Sequence, residues 1–376
     1  MDTKLLTIGI VAIVCVGALA AYFIVLDDGG DDGPIQIVDG SGATITLDEP
    51  LTGAATVNSN VPKAMKVLGL ADEVLSMSLS DAAWDSMKDQ YTNAVRNGTT
   101  SSLTAEKLLE VSKYVICPVS SMTITGDKVT ACENLGITII RLDCFGDSTL
   151  DDLDKIATLF GRTNEIKDAL NSYYNIYNSV KNTVAGKVSA APGTASNTFL
   201  SYMNSSTAFY NQTSAISVMT EEIYGKNALR NISGLDLSNI SNPTADGLRE
   251  KIVEEDAARS IDKIFIRGSS STNTASAALT MWNGSKIASD YTALSAVGSN
   301  SVNKIYVFDS DFMSGLMGYI GFVLIAEACG IDTGLNVATL ITEFNTTYGF
   351  DEGTSGCMFM ITIASGVASA SEIVVT

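Results

Sequence analysis

Short apolar runs with strand character alternate with helix-like runs in two series along this chain, and one long amphipathic stretch separates the series. No other feature restricts the fold as much. In the first series, residues 55–57, 74–78, 114–117 and 138–142 read as strands, with helix-like segments at 64–68, 105–111 and 128–135 between them. Nearly continuous apolar strands are buried on both faces, and parallel neighbours need a long crossover, usually a helix. The pattern predicts a covered parallel sheet. The separator carries Ile166, Leu170, Tyr173, Tyr177, Val180 and Val184, a spacing of three and four that keeps them on one helix face. About 20 residues at ~1.5 Å each make a rod of roughly 30 Å. Ser148-Thr149-Leu150-Asp151 upstream has the form of a capping box, and Ala190-Ala191-Pro192-Gly193 ends the pattern.

The second series resumes with strands at 198–203, 264–266 and 305–308 and helices at 214–224 and 247–258. A very apolar helix is expected at 313–329. At ~17 residues, with Gly315, Gly318 and Gly321 inside it, it suits a buried core better than a membrane. Ahead of both series, residues 35–39 and 43–47 read as a hairpin around Gly40-Ser41-Gly42. The expected division is a membrane anchor or signal segment at 1–26, an acidic Gly-rich linker at 27–34, an N-terminal α/β lobe at 35–150, an inter-lobe helix at 151–188, a C-terminal α/β lobe at 189–350 and an unassigned tail at 351–376. A body of this length suffices for two ordinary domains.

Leu5 to Leu26 is 22 residues without a charge, preceded by Lys4 and followed by Asp27 and Asp28. It is long enough to cross the hydrocarbon core, and its flanks favour a cytoplasmic N-terminus with the body outside. Ala18-Leu19-Ala20 resembles a signal cleavage site, but the apolar run continues through Leu26, which a cleaved signal does not need. The uncleaved anchor is the preferred expectation and a secreted or periplasmic body the alternative. Cys15 lacks the small preceding residue of a lipidated cysteine. Asp27 to Pro34 is a polar tether. Asn-X-Ser/Thr sequons at Asn97, Asn204, Asn211, Asn231, Asn239, Asn283 and Asn345 fit an exported surface.

Composition closes off several classes of function. The chain has 376 residues, a net charge of −19 and no dense basic run, which argues against nucleic acid. It has no histidine, so Ser-His-Asp and Cys-His catalysis, His-ligated zinc and proximal-His haem are all excluded. Walker, dinucleotide, nucleophile-elbow and zincin motifs are missing as well. The six cysteines form no CxxC pair. Cys117 and Cys144 each follow an expected strand, and are read either as small buried hydrophobes or as a disulfide between neighbouring strands.

Several collinear stretches resemble the binding proteins of ATP-binding-cassette transporters for ferric siderophores, corrinoids and haem. Ile37-Val38-Asp39 through Ala43-Thr44-Ile45-Thr46-Leu47 with Pro50 is similar to that family's opening hairpin. Residues 61–69 followed by Ala71-Asp72-Glu73-Val74-Leu75-Ser76-Met77-Ser78 resemble its next passage, and residues 153–162 its inter-lobe helix. Tyr291-Thr292-Ala293-Leu294-Ser295-Ala296-Val297 before Lys304-Ile305-Tyr306-Val307 is similar to a segment of its second lobe. The resemblance spans most of residues 35–350 and implies an α/β fold of two Rossmann-like lobes joined by a long inter-lobe helix. It also implies a non-enzymatic importer component with no covalently bound cofactor. Such a component captures a chelate such as a ferric siderophore or corrinoid and delivers it to a permease with its ATPase.

In such lobes, ligands sit beyond the carboxyl ends of parallel strands. The candidates at those ends are Asn58 and Asn60, Trp84 in the next loop, Ser120 and Ser121, Met203 and Asn204, Arg267 and Ser269, and Asp309 or Asp311. Trp84 either stacks on a planar ligand or packs against its own loop. Trp282 is expected to pack. Arg267 pairs either with an anionic ligand or with a structural acid. Tyr202 and Tyr210 are expected mainly as packing residues. For docking, the resemblance assigns one carboxylate per lobe: Glu106 in the first, Glu250 or Glu254 in the second. A rigid inter-lobe rod implies small lobe motion on ligand binding. The competing reading is a surface structural or adhesion protein that keeps the fold without a transported ligand.

Overall fold

The computed structural model describes residues 33–99, 102–119, 124–191, 197–203, 215–227, 263–269, 272–284, 288, 304–364 and 367–375. Strands β1 (Ile35–Val38) and β2 (Thr44–Leu47) form the expected antiparallel hairpin, pairing Ile35 with Leu47 and Val38 with Thr44. Period-two alternation buries Ile37, Ile45 and Leu47 and leaves Val38 exposed. Asp39 closes the turn: its Oδ1 accepts from the Ser41 N–H (2.9 Å), the Ser41 hydroxyl (2.7 Å) and the Ala43 N–H (3.0 Å). Its Oδ2 accepts from the Arg141 N–H at 3.0 Å, tying the hairpin to the sheet behind it.

The first sheet is all parallel, in the order β5-β4-β3-β6-β7. Its strands are β3 (Ala54–Thr56), β4 (Val74–Met77), β5 (Val95–Arg96), β6 (Tyr114–Cys117) and β7 (Thr138–Arg141). The helices are α1 (Asn60–Val67), α2 (Asp81–Met87), α3 (Ala105–Leu109) and α4 (Asp127–Asn134). Both faces are covered. Ala54, Ile116 and Ile140 belong to one apolar cluster, whereas their neighbours Ala55, Val115 and Cys117 belong to another on the opposite face. The chain starts at central β3, builds outward to β5, then returns to add β6 and β7 on the other side, so the order reverses between β3 and β6.

The helical separator is two helices rather than one rod: α5 (Thr149–Leu159) and α6 (Asn164–Ala190). Gly161 (φ 86°) and Arg162 (φ 46°) turn the chain between them, and the Thr163 hydroxyl accepts from the Ile166 N–H to start the second. At 27 residues, α6 is about 40 Å long. The Ser148 capping box does not form. The Ser148 side chain caps no backbone N–H and donates instead to Asp152 Oδ2 (2.7 Å). Asp152 also accepts from the N–H groups of Asp143 (3.0 Å) and Cys144 (2.8 Å), which pins the end of β7 to α5.

The second sheet has the order β13-β12-β11-β10-β8-β9. Strands β8 (Asn197–Met203), β9 (Gly225–Asn227), β10 (Lys263–Arg267) and β11 (Lys304–Phe308) are parallel, with α7 (Ala215–Ile223) between β8 and β9 and α8 (Ala275–Gly284) after β10. Its core is aromatic: Phe265 stacks on Tyr306 at 5.8 Å and lies 5.6 Å from Phe308. Trp282 packs inside at 2% exposure.

After β11 the expected helix at 313–329 starts late. Asp309 Oδ1 accepts from the Asp311 N–H and caps a 3₁₀ turn at Ser310–Phe312, Gly315 takes φ 74°, and a second turn at Gly315–Met317 follows. Only then does α9 (Gly318–Ala328) begin, buried along every face except at Glu327. Then comes α10 (Val337–Tyr348). The tail left unassigned from sequence forms β12 (Met358–Ala364) and β13 (Val367–Glu372), an antiparallel hairpin added to the parallel strands. Among the described residues, no helix is long and apolar enough to cross a membrane. The expected anchor at 1–26 and the helix at 247–258 lie outside them.

Candidate functional site

Carboxyl-terminal strand ends of both sheets meet around one cavity of about 30 Å³. Its walls include Asn60 and Lys63 from α1 after β3, Cys144 after β7, Asp311 and the 314–317 turn after β11, and Glu352 beyond α10. In an α/β sheet this edge is where a ligand finds helix N-termini and uncommitted polar groups. The space admits about one or two waters, far below the roughly 300 Å³ at the lower end of small-molecule pockets.

On the first sheet's side, Asn58 and Asn60 are both held by α1. Asn58 Oδ1 accepts from the Val61 N–H at 3.0 Å, so its amide oxygen serves the helix start. Lys63 and Lys66, one turn apart, reach toward the second sheet. Lys63 Nζ lies 2.8 Å from Glu352 Oε1 and 3.8 Å from Asp311 Oδ2. Lys66 Nζ donates to the Gly349 carbonyl and to Gln90 Oε1 (2.8 Å), and sits 4.4 Å from the centre of the Phe350 ring. Asn345 fixes Glu352 by donating to its carbonyl (2.8 Å) and accepting from its N–H (3.0 Å).

These groups shift one another. Burial pulls the Lys63 ammonium down, but Asp311, Glu352 with its hydrogen bond, and Asp309 outweigh it and hold it above the ordinary lysine value. Asp309, 7% exposed, is pushed up to about 7 by burial, with the charges of Asp311 and Glu352 adding to the effect. The Asp311 N–H and Lys63 pull in the other direction. Burial also lowers Lys66, against the charge of Glu352.

Asn60 lines the cavity, as the strand-end argument expects, and Asp311 does too. Trp84 does not stand in a loop. Ser80 accepts from the Ala83 N–H and starts α2, and Trp84 is half-buried on that helix against the core and is not among the residues that line the cavity. Arg267 ends β10 with its guanidinium 4.9 Å from the centre of the Phe145 ring, which follows β7. Ser269 belongs to a local turn, where its N–H donates to Thr272 Oγ1 at 3.0 Å. Met203 ends β8. Ser120, Ser121, Asn204, Tyr210, Glu250 and Glu254 lie outside the described residues.

Glu106 is exposed in the first turn of α3, and hydrogen bonds from its own N–H and from Thr104 hold its carboxyl below the usual range. Cys117 and Cys144 are both buried free thiols. Burial pushes Cys117 up to about 12, against Arg141, whose guanidinium lies 3.3 Å from its sulfur. Sequon residue Asn97 is 7% exposed and its amide donates to the Lys107 carbonyl, so the folded chain does not present it for glycosylation. Lys63, Phe145 and Glu352 were missed from sequence. Two lysines a turn apart on an otherwise apolar helix were the available signal for Lys63.

No protein-family model and no curated protein sequence matches this chain. Solved structures do. Helicobacter pylori CeuE with Ni(II) bound aligns over 85% of this chain and 98% of its own, at TM-score 0.55 and 13% identity. An ABC-type Fe3+-hydroxamate transport system protein from Saccharomonospora viridis aligns over 79% and 99%, at TM-score 0.52 and 16% identity. A periplasmic heme binding protein from Pseudomonas aeruginosa aligns over 74% and 92%, at TM-score 0.51 and 11% identity. The similar structures are binding proteins, not enzymes, and what the chain shares with these periplasmic solute-binding proteins is the fold.

Proposed function

We propose that this chain is the solute-binding component of an ABC importer, holding a small metal chelate such as a ferric siderophore or corrinoid between two lobes and handing it to a permease and its ATPase. One observation carries the reading: strand ends of two separate sheets line one cavity together, with Asn60 and Lys63 on one side and Asp311 on the other. In this reading, α6 is the brace between the lobes and the gap widens by modest movement across the Lys63 bridge. Residues 1–26 and the acidic tether at 27–34 hold the body outside the cell, as an anchor or, if cleaved, as a signal. Glu106, with Glu250 or Glu254, meets the permease. The protein performs no chemistry on its cargo.

The small volume of the cavity favours a second reading, a surface structural protein that keeps the fold without cargo. Thermal denaturation of the full chain with ferric hydroxamates, ferric catecholates, corrinoids and haem separates the two. A ligand at about 100 times its Kd adds roughly 2.7 kcal/mol and raises the midpoint by several degrees. No shift with any of them removes the importer reading.

A further inference from the structure

We infer that the ligand carries no net negative charge, being a neutral or cationic polar chelate and not a polyanionic one. This rests on the importer reading of the same gap. The larger cavity has one cation in its wall, Lys63, and that charge is already met by Glu352 at 2.8 Å and Asp311 at 3.8 Å. Asp309 stands close enough to Lys63 to act on its charge. A second cavity of about 10 Å³ is lined by Gly146, Asp147, Tyr177, Glu222 and Phe322, among others. The two cavities together present one cation against the four carboxylates of Asp311, Glu352, Asp147 and Glu222. Lys181, 3.1 Å from Glu222, offsets one of these. At the end of β10, Arg267 lies against the Phe145 ring.

The sequence beyond the strands continues the theme. Residues 118–126 after β6, 204–220 after β8 and 268–285 after β10 contain no charged residue, although 17% of the chain is charged. They are rich in serine, threonine and asparagine, which supply hydrogen bonds and no counter-charge. The whole chain carries −19. An approaching polyanion is therefore repelled at long range, and once inside it loses hydration beside carboxylates, the one cation of the two cavity walls being already paired. Three hydroxamates leave ferric iron neutral and three catecholates leave it triply anionic, so the two chelate classes separate on this property alone.

The test is quenching of tryptophan fluorescence in the full chain by three ferric complexes: a neutral cyclic trihydroxamate, a linear trihydroxamate bearing a free ammonium, and a tris-catecholate. The neutral and cationic complexes should bind at least about tenfold tighter than the tris-catecholate. Affinity for the cation should fall as salt rises, because screening weakens the attraction. Tightest binding of the tris-catecholate overturns the inference and leaves the importer reading standing; no binding by any complex overturns both. In the variant Asp311→Asn/Glu352→Gln, Lys63 loses the two carboxylates that pair with it, and the preference should move about tenfold toward the anion. A single exposed change, Asp147→Lys, should move it the same way by a smaller factor without disturbing the fold. A preference unchanged in both variants overturns the inference.

Discussion

At the carboxyl ends of the first sheet the described acceptors are held by donors of the fold around them, whereas beyond the second sheet two carboxylates find their cation across the cavity. Asp39 takes four donors, Asn58 starts α1, Asp143 accepts from the Val119 N–H at 2.8 Å, and Asp152 fastens α5 to the end of β7. Each satisfied acceptor makes that edge rigid and leaves it little to offer a ligand. On the second sheet, Asp309 is buried with one backbone donor and two acids nearby, and Asp311 and Glu352 look to the other side for Lys63. The first sheet is the fixed wall of the proposed gap, and the second carries the groups whose charge state and partners can change.

The cores differ in parallel, and the largest expected effect breaks that comparison. Beneath the β10–β11 edge, Phe265, Tyr306 and Phe308 interlock, and Phe308 is fully buried. Phe308→Ala should cost about 3–5 kcal/mol in urea unfolding, through lost burial and the cavity left behind. In the first sheet Ile116 is also fully buried, and Ile116→Val, which deletes a single methyl group, should cost only about 0.5–1.5 kcal/mol. Similar losses from the two changes would mean that the aromatic stack does not hold the second edge in place.

Next in size is the pH dependence of Asp309. Its carboxyl is raised from the ordinary 3.8 to about 7, so between those values the folded state binds more protons than the unfolded one. Its contribution is full below about pH 4, declines as pH rises toward 7, and is lost above. Asp309→Asn keeps an acceptor for the Asp311 N–H and removes the titration. The variant should gain of order 2 kcal/mol over the parent at pH 8 and little at pH 4, read by urea unfolding at both values. Equal differences at the two values would show that Asp309 is solvated and that the second edge is as settled as the first.

How much of this was legible in the sequence follows the range of the interaction. The β/α alternation, the hairpin and α6 come from periods of two and 3.6, which neighbouring residues alone set. Trp84 was misplaced in a loop because its surroundings look polar, although Ser80 followed by Ala82-Ala83 carried the helix-start signal. The 313–329 stretch is uniformly apolar, and apolarity does not reveal that Asp309 and Gly315 wind its first residues into 3₁₀ turns. β13 reads Val-Ala-Ser-Ala-Ser-Glu, a poor strand by composition that exists through its pairing with β12. Asp309 and Asp311 were found as strand-end residues, but the partners Lys63 and Glu352 stand 289 positions apart and only the fold brings them together.

The Lys63–Glu352 bridge joins the two edges. Both side chains are about a quarter exposed, so solvent weakens the pair. Lys63→Met keeps much of the apolar stem and leaves Asp311 and Glu352 facing each other without a cation. The loss should be about 1–2 kcal/mol at low salt and smaller in concentrated salt, since screening relieves the remaining repulsion. If the gap widens across this bridge, the variant should also increase hydrogen exchange at residues 349–352 and leave the hairpin at Asp39 unaffected. Equal change at both places would show that the two edges move together, and would remove the distinction between a fixed wall and an adjustable one.

The smallest effect concerns a group that belongs to neither wall. Glu106 is exposed at the start of α3, where hydrogen bonds from its own N–H and from Thr104 hold its carboxyl below the usual range. Glu106→Gln keeps the hydrogen-bonding shape and removes the charge, so unfolding free energy should change by less than about 0.5 kcal/mol. Ligand affinity should not change at all, because the residue lines neither cavity. Uptake by cells carrying the matching permease should nonetheless fall, since a rim charge lost at a docking surface slows association and removes its salt dependence. A variant that transports normally would take Glu106 out of the interface and leave the chelate-binding role of the two strand edges to be judged on ligand binding alone.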